Sequence, residues 1–287
     1  MIIVKLSGGL GNQLFQYALG RHLAIINQTK LKLDTSLLAQ TSDWTSRNFA
    51  LSAFTIQAEQ ATKEEIQTLA GSPHHFLQRM GRKLGIKPAR YFKEPYFHFY
   101  SPVLSIKSSH YLDGYWQSEK YFKAISSLIR QEFSLKLPLS SHSQRFKEKV
   151  AGCSSVSIHI RRGDYAKTSK ANRYLKPLEM DYYQRAIKHI THQVPNPHFF
   201  IFSDDIEWVK DQLIAPFPMH FSEGNSAHED LWLMAHCRHH IIANSTFSWW
   251  GAWLNPRPDK IVIAPQKWFS TERFNTQNLL PEAWIGL

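Results

Sequence analysis

Between Val156 and Ala264 short apolar runs alternate with stretches of helical periodicity, and this rhythm limits the fold more than any other feature of the chain. Residues 156–160 form a strand pattern that precedes a helical stretch at 178–190, where Tyr183, Ile187 and Ile190 fall on one stripe. Residues 198–202 lead through Asp204-Asp205 to a short helix containing Val209 and Leu213. Residues 219–221 precede a helix over 229–237, and 240–243 run through Asn244-Ser245-Thr246 into a helix that reaches Leu254. A last strand at 260–264 closes the series. Strands separated by helices at this spacing pair in parallel, so a doubly wound α/β domain is expected.

The amino-terminal half begins the same way. A strand at 2–6 and the loop Ser7-Gly8-Gly9-Leu10-Gly11 lead to a helix over 12–26, with Phe15, Ala18, Leu19, Leu23 and Ile26 on its buried face. A second strand at 31–33 ends in Asp34. A polar helix is expected near 62–70, followed by an aromatic patch over 91–100, a strand and turn at 111–116 and a helix from 119 to 133. Leu137-Pro138-Leu139-Ser140-Ser141 has the composition of a linker. The expected domains are therefore 1–138 and 139–287.

Charge narrows the partners. Thirty-four Lys and Arg against 23 Asp and Glu give a net charge of +11, which favours an anionic partner: nucleic acid, a phosphate-bearing ligand or an anionic membrane surface. The basic residues are dispersed, without a basic helix face or an RNP-like aromatic motif, and this argues against nucleic acid. No apolar run reaches membrane-spanning length, and Met1 to Leu6 is too short for a signal-peptide core. A cytoplasmic location is expected, with peripheral contact with an anionic membrane allowed by the charge. Cys153 and Cys237 are expected to be reduced.

Ligands of open parallel sheets bind outside the carboxyl ends of the strands, and four polar motifs fall there. They are Gly8 to Asn12, His159-Ile160-Arg161-Arg162-Gly163-Asp164-Tyr165, Ser203-Asp204-Asp205, and Asn244-Ser245-Thr246-Phe247-Ser248. The planar guanidinium pairs bidentately with phosphate oxygens and keeps its charge near neutral pH. Val156, Ile158 and Ile160 alternate with Ser155, Ser157 and His159, which places His159 on the face opposite the apolar set. The start of the helix after Asn244 offers free backbone N–H groups suited to phosphate, although ordinary capping explains its hydroxyls too. Together these motifs describe a nucleotide-diphosphate pocket.

Three other readings compete. Gly9-x-Gly11 with Asp34 suggests a dinucleotide site and a nicotinamide-dependent oxidoreductase, but Leu14 stands where that fingerprint needs a small residue. A carbohydrate-binding protein without turnover would use the aromatic surface, with Trp116 as a sugar platform or, alternatively, a core residue. His236-Cys237-Arg238-His239-His240 and the pair His189 and His192 raise the question of a metal. The first cluster straddles a helix end and a strand start, so its side chains are expected to diverge. Asp204-Asp205 fits an Asx turn or helix cap, and Trp249 and Trp253 share a helix face expected to be core.

The four motifs, in this order, resemble the α-1,2-fucosyltransferases of glycosyltransferase family 11. The matching stretches are Lys5 to Tyr17, His159 to Tyr165, Ile201 to Asp205 and Asn244 to Leu254; residues 40–109 carry no matching element. The resemblance implies a GT-B-like α/β fold of two Rossmann-like domains facing a cleft. It also implies inverting transfer of L-fucose from GDP-β-L-fucose to the 2-hydroxyl of a terminal β-galactoside, without cofactor or metal. By the same resemblance the carboxyl-terminal domain holds the donor. Arg161 would grip the β-phosphate, with Arg162 beside it and His159 near the ribose or diphosphate. Asn244, Ser245, Thr246 and Ser248 would line the phosphates and fucose. Asp230 would read guanine, and Asn12 would close on the donor. The general base is left open by the resemblance: Asp164, the nearest carboxylate in sequence, would be the base or a brace for its arginine neighbours, or a loose transition state would need no dedicated base. The amino-terminal domain would serve the acceptor glycan.

Overall fold

The computed structural model describes residues 1–38, 48–71, 90–107, 109–163 and 174–287. They fall into two units, Met1–Ser134 with Gln277–Leu279 and Leu135–Thr276 with Leu280–Leu287.

The first unit is built on a parallel five-stranded sheet. Its strands are β1 (Ile2–Lys5), β2 (Leu31–Asp34), β3 (Glu59–Gln60), β4 (Tyr91–Lys93) and β5 (His110–Asp113), in the order β3-β2-β1-β5-β4. Ile2, Ile3 and Val4 are fully buried, as the central strand of a parallel sheet covered on both faces requires. Helix α1 (Leu10–Ile26) packs on β1. Contact there is close enough that a Cβ on Gly20 would lie 2.4 Å from Val4 Cγ2. Phe15, Ala18, Leu19 and Leu23 are buried as the periodicity predicts, whereas Ile26 is 48% exposed because the helix ends there, beyond the edge of its contact face. The helix also begins earlier than its sequence suggests: Gly9 is the N-cap, so Gly11 and Asn12 lie in its first turn.

Helix α2 (Lys63–Ala70) starts with a capping box between Thr62 and Glu65. The single helix expected over 119–133 is instead two 3-10 turns, Glu119–Tyr121 and Lys123–Ile125, followed by α3 (Ser126–Glu132). Tyr121 and Phe122 are adjacent and both fully buried, and Phe122 at φ −139° leaves the helical region, which re-aims one ring relative to the other. Glu132 carries a buried charge that is fully engaged. It receives Arg21 Nη2 at 2.8 Å and the Tyr17 hydroxyl at 2.5 Å.

The second unit holds a parallel six-stranded sheet, β11-β10-β9-β6-β7-β8. Its strands are β6 (Ser154–Ile160), β7 (Pro197–Ser203), β8 (Met219–Phe221), β9 (His239–Ile241), β10 (Val262–Ala264) and β11 (Ile285–Gly286). Around them lie α4 (Ser141–Ala151), α5 (Met180–Thr191), α6 (Ile206–Gln212), α7 (Ala227–His236) and α8 (Thr246–Leu254). Strand β6 is central, so Ser155, Ser157 and His159 are buried along with the apolar set on the opposite face. Ser157 Oγ meets His240 Nδ1 at 2.8 Å, and Asn255 Nδ2 meets His240 Nε2 at 2.9 Å, which satisfies polar groups inside the sheet layers.

Tyr183, Ile187 and Ile190 of α5 are buried, and Trp249 and Trp253 of α8 stack at 6.1 Å with their planes 10° apart. Helix α4 and strand β11 carry too little pattern to read. The helix buries only Ser143, Phe146 and Val150, and β11 has two residues. Cys153 and Cys237 are free, as expected. No described helix is long and apolar enough to cross a membrane.

Candidate active site

The register of β6 against β7 builds the site. Ile160 pairs with Ser203, so the chains leave the sheet side by side and bring 161–163 against 204–205. Arg161 Nη1 lies 2.9 Å from Asp204 Oδ2, and Arg162 N donates to Asp204 Oδ1 at 2.9 Å. Arg162 Nε donates to Asp205 Oδ2 at 3.1 Å, and its guanidinium sits 4.0 Å from the centre of the Trp208 ring. Gly163 is required by this approach, since a Cβ there would meet Asp204 Oδ2 at 2.6 Å. The two carboxylates therefore hold the arginine loop, where the sequence suggested only an Asx turn or helix cap. Asp164 lies outside the described residues.

Electrostatics follow from burial. Burial alone would raise Asp204, but the Arg161 charge and the N–H groups of Arg162 and Gly163 outweigh it and leave the carboxyl below its ordinary value. His159 is only 4% exposed. Burial and then the Arg161 charge drive it down to about 3, against a smaller pull from Asp204. The imidazole is therefore neutral near pH 7. Its Nδ1 has no hydrogen-bond partner among the described residues, and its ring lies 5.4 Å from that of Phe247. A buried polar atom left unpaired costs about 1–3 kcal/mol, and such a cost is tolerated where a ligand supplies the partner.

Phe247 belongs to the first turn of α8, which follows β9 on the other side of β6. Ser245 is the N-cap, its Oγ accepting from Phe247 N at 3.3 Å. Ser248 is buried and its hydroxyl donates to Ala243 O and Ser245 O, at 3.5 and 3.3 Å. Asn244 Nδ2 donates to Lys176 O at 3.0 Å and Trp268 O at 3.2 Å, tying this segment to two others. Thr246 is half-buried at the helix start. Asn244, Ser245 and Ser248 thus have structural duties, and the first-turn N–H groups of α8 are suited to an anion.

A pocket of about 380 Å³ opens beside the arginine brace, lined by Ser203, Asp204, Glu207, Ser222, Asn225 and Asp230 among others. Its size suits a nucleotide portion. Asp230 Oδ1 accepts from Ser222 Oγ at 2.6 Å and Asn225 Nδ2 at 3.2 Å. Burial raises this carboxyl above its ordinary range, with both donors opposing the shift. Strand register thus gathers His159, Arg161, Arg162, Asp230 and 244–248 at the carboxyl edge of one sheet.

Asn12 belongs to the first unit, where its Oδ1 accepts from Gln117 Nε2 at 3.0 Å and its side chain lies against Gly8, which has φ +76°. The neighbouring glutamines of the motif have structural roles. Gln13 spans Gly8 O, Asn48 O and Ala50 N, all at 3.0 Å, and Gln16 links Ser7 to Gly114 O. The dinucleotide reading fails at Asp34. This residue is 3% exposed and is engaged by the Tyr111 hydroxyl at 2.6 Å and Ser36 N at 2.9 Å, leaving no access for a ribose. Trp116 is fully buried and is not a sugar platform. His236 and His240 make separate contacts, with Trp232 O and with Ser157 and Asn255, so they do not converge on a cation.

Comparison with known proteins agrees with this geometry. The model of Glycosyl transferase family 11 matches residues 1–287. An Escherichia coli protein described as an alpha-1,2-colitosyltransferase is 33% identical over 294 residues, covering 100% of this chain and 99% of its own. A Mus musculus protein described as galactoside 2-alpha-L-fucosyltransferase Sec1 is 23% identical over 100% of this chain and 74% of its own length. Among solved structures, NodZ alpha-1,6-fucosyltransferase co-crystallised with GDP superposes with a TM-score of 0.53 at 16% identity, over 91% of this chain and 94% of that one. At that identity the likeness is one of fold, and the expected GT-B-like α/β class, with two Rossmann-like units, holds.

Proposed function

The chain belongs to glycosyl transferase family 11, and on that premise we propose that it moves L-fucose from GDP-β-L-fucose to the 2-hydroxyl of a terminal β-galactoside, with inversion, to form an α-1,2 linkage. The observation that carries this reading is the arginine pair fixed at the sheet edge by Asp204 and Asp205. When the bond between fucose C1 and the diphosphate oxygen breaks, negative charge gathers on the departing GDP. Arg161 and Arg162, with the N–H groups at the start of α8, face that charge and stabilise it where it develops. Two guanidiniums supply the positive charge that a divalent cation supplies elsewhere, so the reaction is proposed to need no metal. His159, neutral at working pH, presents a ring nitrogen to the ribose or diphosphate without competing for a proton. Asp230 accepts hydrogen bonds from guanine N1–H and N2–H at the pocket wall, while Asn244, Ser245, Thr246 and Ser248 shape the edge that receives phosphates and fucose.

The acceptor hydroxyl must lose a proton as it attacks C1. Asp204 and Asp205 hold the arginines, and the base role is the one proposed for Asp164, the nearest carboxylate in sequence. A loose, oxocarbenium-like transition state asks little of a base. Residues 139–287 are assigned the donor and 1–138 the acceptor. A cytoplasmic site of action belongs to the same proposal, as does peripheral contact with an anionic membrane surface, which the net charge of +11 favours.

One observation favours a second donor. The relative at 33% identity is described as a colitosyltransferase, and colitose is the 3-deoxy counterpart of fucose. Turnover of GDP-fucose against GDP-colitose decides between them. The test of the site is Arg161→Ala. Transfer is expected to fall by about 10²–10³-fold with the melting transition retained, and GDP alone, not UDP or NAD, is expected to stabilise the wild type in the presence of chelator. Full turnover by Arg161→Ala removes the phosphate-clamp assignment.

A further inference from the structure

The first unit carries a second constellation at the carboxyl ends of β4 and β5, on the ligand-binding edge of its parallel sheet. Both oxygens of Glu94 are held by one turn: Oε2 accepts from Tyr115 N at 2.7 Å and Oε1 from Trp116 N at 3.0 Å. The turn is tight. A Cβ on Gly114 would meet Glu94 Cβ at 2.4 Å, and Trp116 adopts φ +58°, which a bulky residue takes only when its surroundings impose it. They do so here, because its fully buried indole packs against Phe92 at 6.2 Å and edge-on to Tyr121 at 5.7 Å. Tyr115, on the same turn, is 44% exposed. Two residues beyond Glu94, Tyr96 is 55% exposed yet fixed in orientation, stacked on His98 at 5.0 Å and against Tyr100 at 5.8 Å.

We propose that Glu94, Tyr96 and Tyr115 form the subsite that holds the acceptor's terminal pyranose. This rests on the reading of the chain as a transferase acting on a glycan. A galactoside suits the set because its axial 4-hydroxyl leaves the C3, C4 and C5 hydrogens as an apolar patch on one face. Phenol rings present a flat apolar surface with a polar tip, and the Tyr96 ring, held by His98 and Tyr100, loses little entropy on contact. The turn uses two of about four lone-pair positions on the Glu94 carboxyl, and burial pushes this group up to about 7, so near neutral pH it can accept from or donate to sugar hydroxyls. A purine would also stack on tyrosine, but the second unit already provides a nucleotide-sized pocket beside Asp230.

Saturation-transfer NMR of the full chain with methyl β-galactoside, lactose and a panel of other methyl pyranosides tests this without requiring turnover. Tyr96→Ala, Tyr115→Ala and Glu94→Gln are compared with the wild type, each first shown to melt cooperatively. Because Glu94→Gln can loosen the turn, exposed Tyr96 carries the decision. The expected result is transfer to the galactose H3, H4 and H5 protons, with affinity lowered about tenfold in Tyr96→Ala and Tyr115→Ala. Unchanged binding by both tyrosine variants overturns the subsite, as does the absence of binding by every pyranoside. If methyl β-galactoside is silent while another pyranoside binds and is lost in the tyrosine variants, the subsite stands and the galactoside reading falls. Saturation of GDP protons that disappears in Tyr96→Ala overturns the subsite in favour of a base-stacking role.

Discussion

Replacing Asp204 with asparagine keeps the volume of the side chain and one oxygen able to accept from Arg162 N, and removes the charge that faces Arg161. At 2.9 Å and an effective dielectric near 20 the gross attraction is roughly 6 kcal/mol. Most of this is offset by the desolvation of both groups. With the two side chains 23% and 24% exposed, a net loss of about 1–2 kcal/mol is expected. At about 2–4 °C per kcal/mol, melting should fall by roughly 2–8 °C near pH 7. The sign with pH is fixed, because the Asp204 carboxyl is lowered in the folded protein from 3.8. Its contribution is present above that value and lost as pH falls through the folded value, so the gap between variant and wild type narrows in acid. Asp204 acts through Arg161, so donor turnover should separate from donor binding. We expect kcat to fall about tenfold, or roughly 1.4 kcal/mol in the barrier, while the Kd for GDP changes less than threefold, because a repelling carboxylate leaves with the brace. Differential scanning fluorimetry, GDP titration and steady-state kinetics provide the three readouts. Unchanged melting with unchanged kcat, or a GDP affinity that falls as far as kcat, refutes the reasoning.

Two further outcomes follow from the same geometry. Gly163→Ala places a methyl 2.6 Å from Asp204 Oδ2 and pushes the carboxylate off Arg161. Its kcat should drop in step with that of Asp204→Asn, and a fully active Gly163→Ala would show that the brace tolerates displacement. His159 titrates near 3 when folded against 6.5 when free, so the folded protein binds fewer protons. Its stabilising contribution is present above pH 6.5 and lost as pH falls towards 3. His159→Asn, which cannot titrate, should therefore show a flatter dependence of melting temperature on pH between 6.5 and 4. Parallel profiles would contradict a buried neutral imidazole.

The alternation of strands and helices was enough to place most of both parallel sheets, because buried parallel strands read as apolar runs with turn residues at their ends. Where burial depended on tertiary contact, local pattern failed. Ser155, Ser157 and His159 alternate with apolar residues as in a half-exposed strand, yet β6 is enclosed on both faces and its polar residues are inside. Helix α4 carries little sequence signal because Phe146 and Val150 are its only large buried anchors. In the site, Arg161 and Arg162 are legible as an anion-binding pair, with Asp164, which lies outside the described residues, read as base or brace from its nearness in sequence. Among the described residues their carboxylate partners lie 43 residues on, since Ile160 pairs with Ser203 and the residues after each strand become neighbours. Strand order supplies that fact, and a signal for it existed: two acidic residues directly after the adjacent strand. Trp208 beneath Arg162 belongs to the same category, a contact set by register and invisible to spacing.

The central claim is that this chain transfers fucose to the 2-hydroxyl of a galactoside with inversion. Its most direct test is the product. Incubation of the full chain with GDP-β-L-fucose and lactose in the presence of chelator, followed by NMR of the isolated trisaccharide, reads both linkage and anomer at once. The account predicts a small anomeric coupling for an α-fucoside, with a through-space contact from fucose H1 to galactose H2. A β-linked fucose, a contact to another galactose position, or fucose released only into water would contradict it.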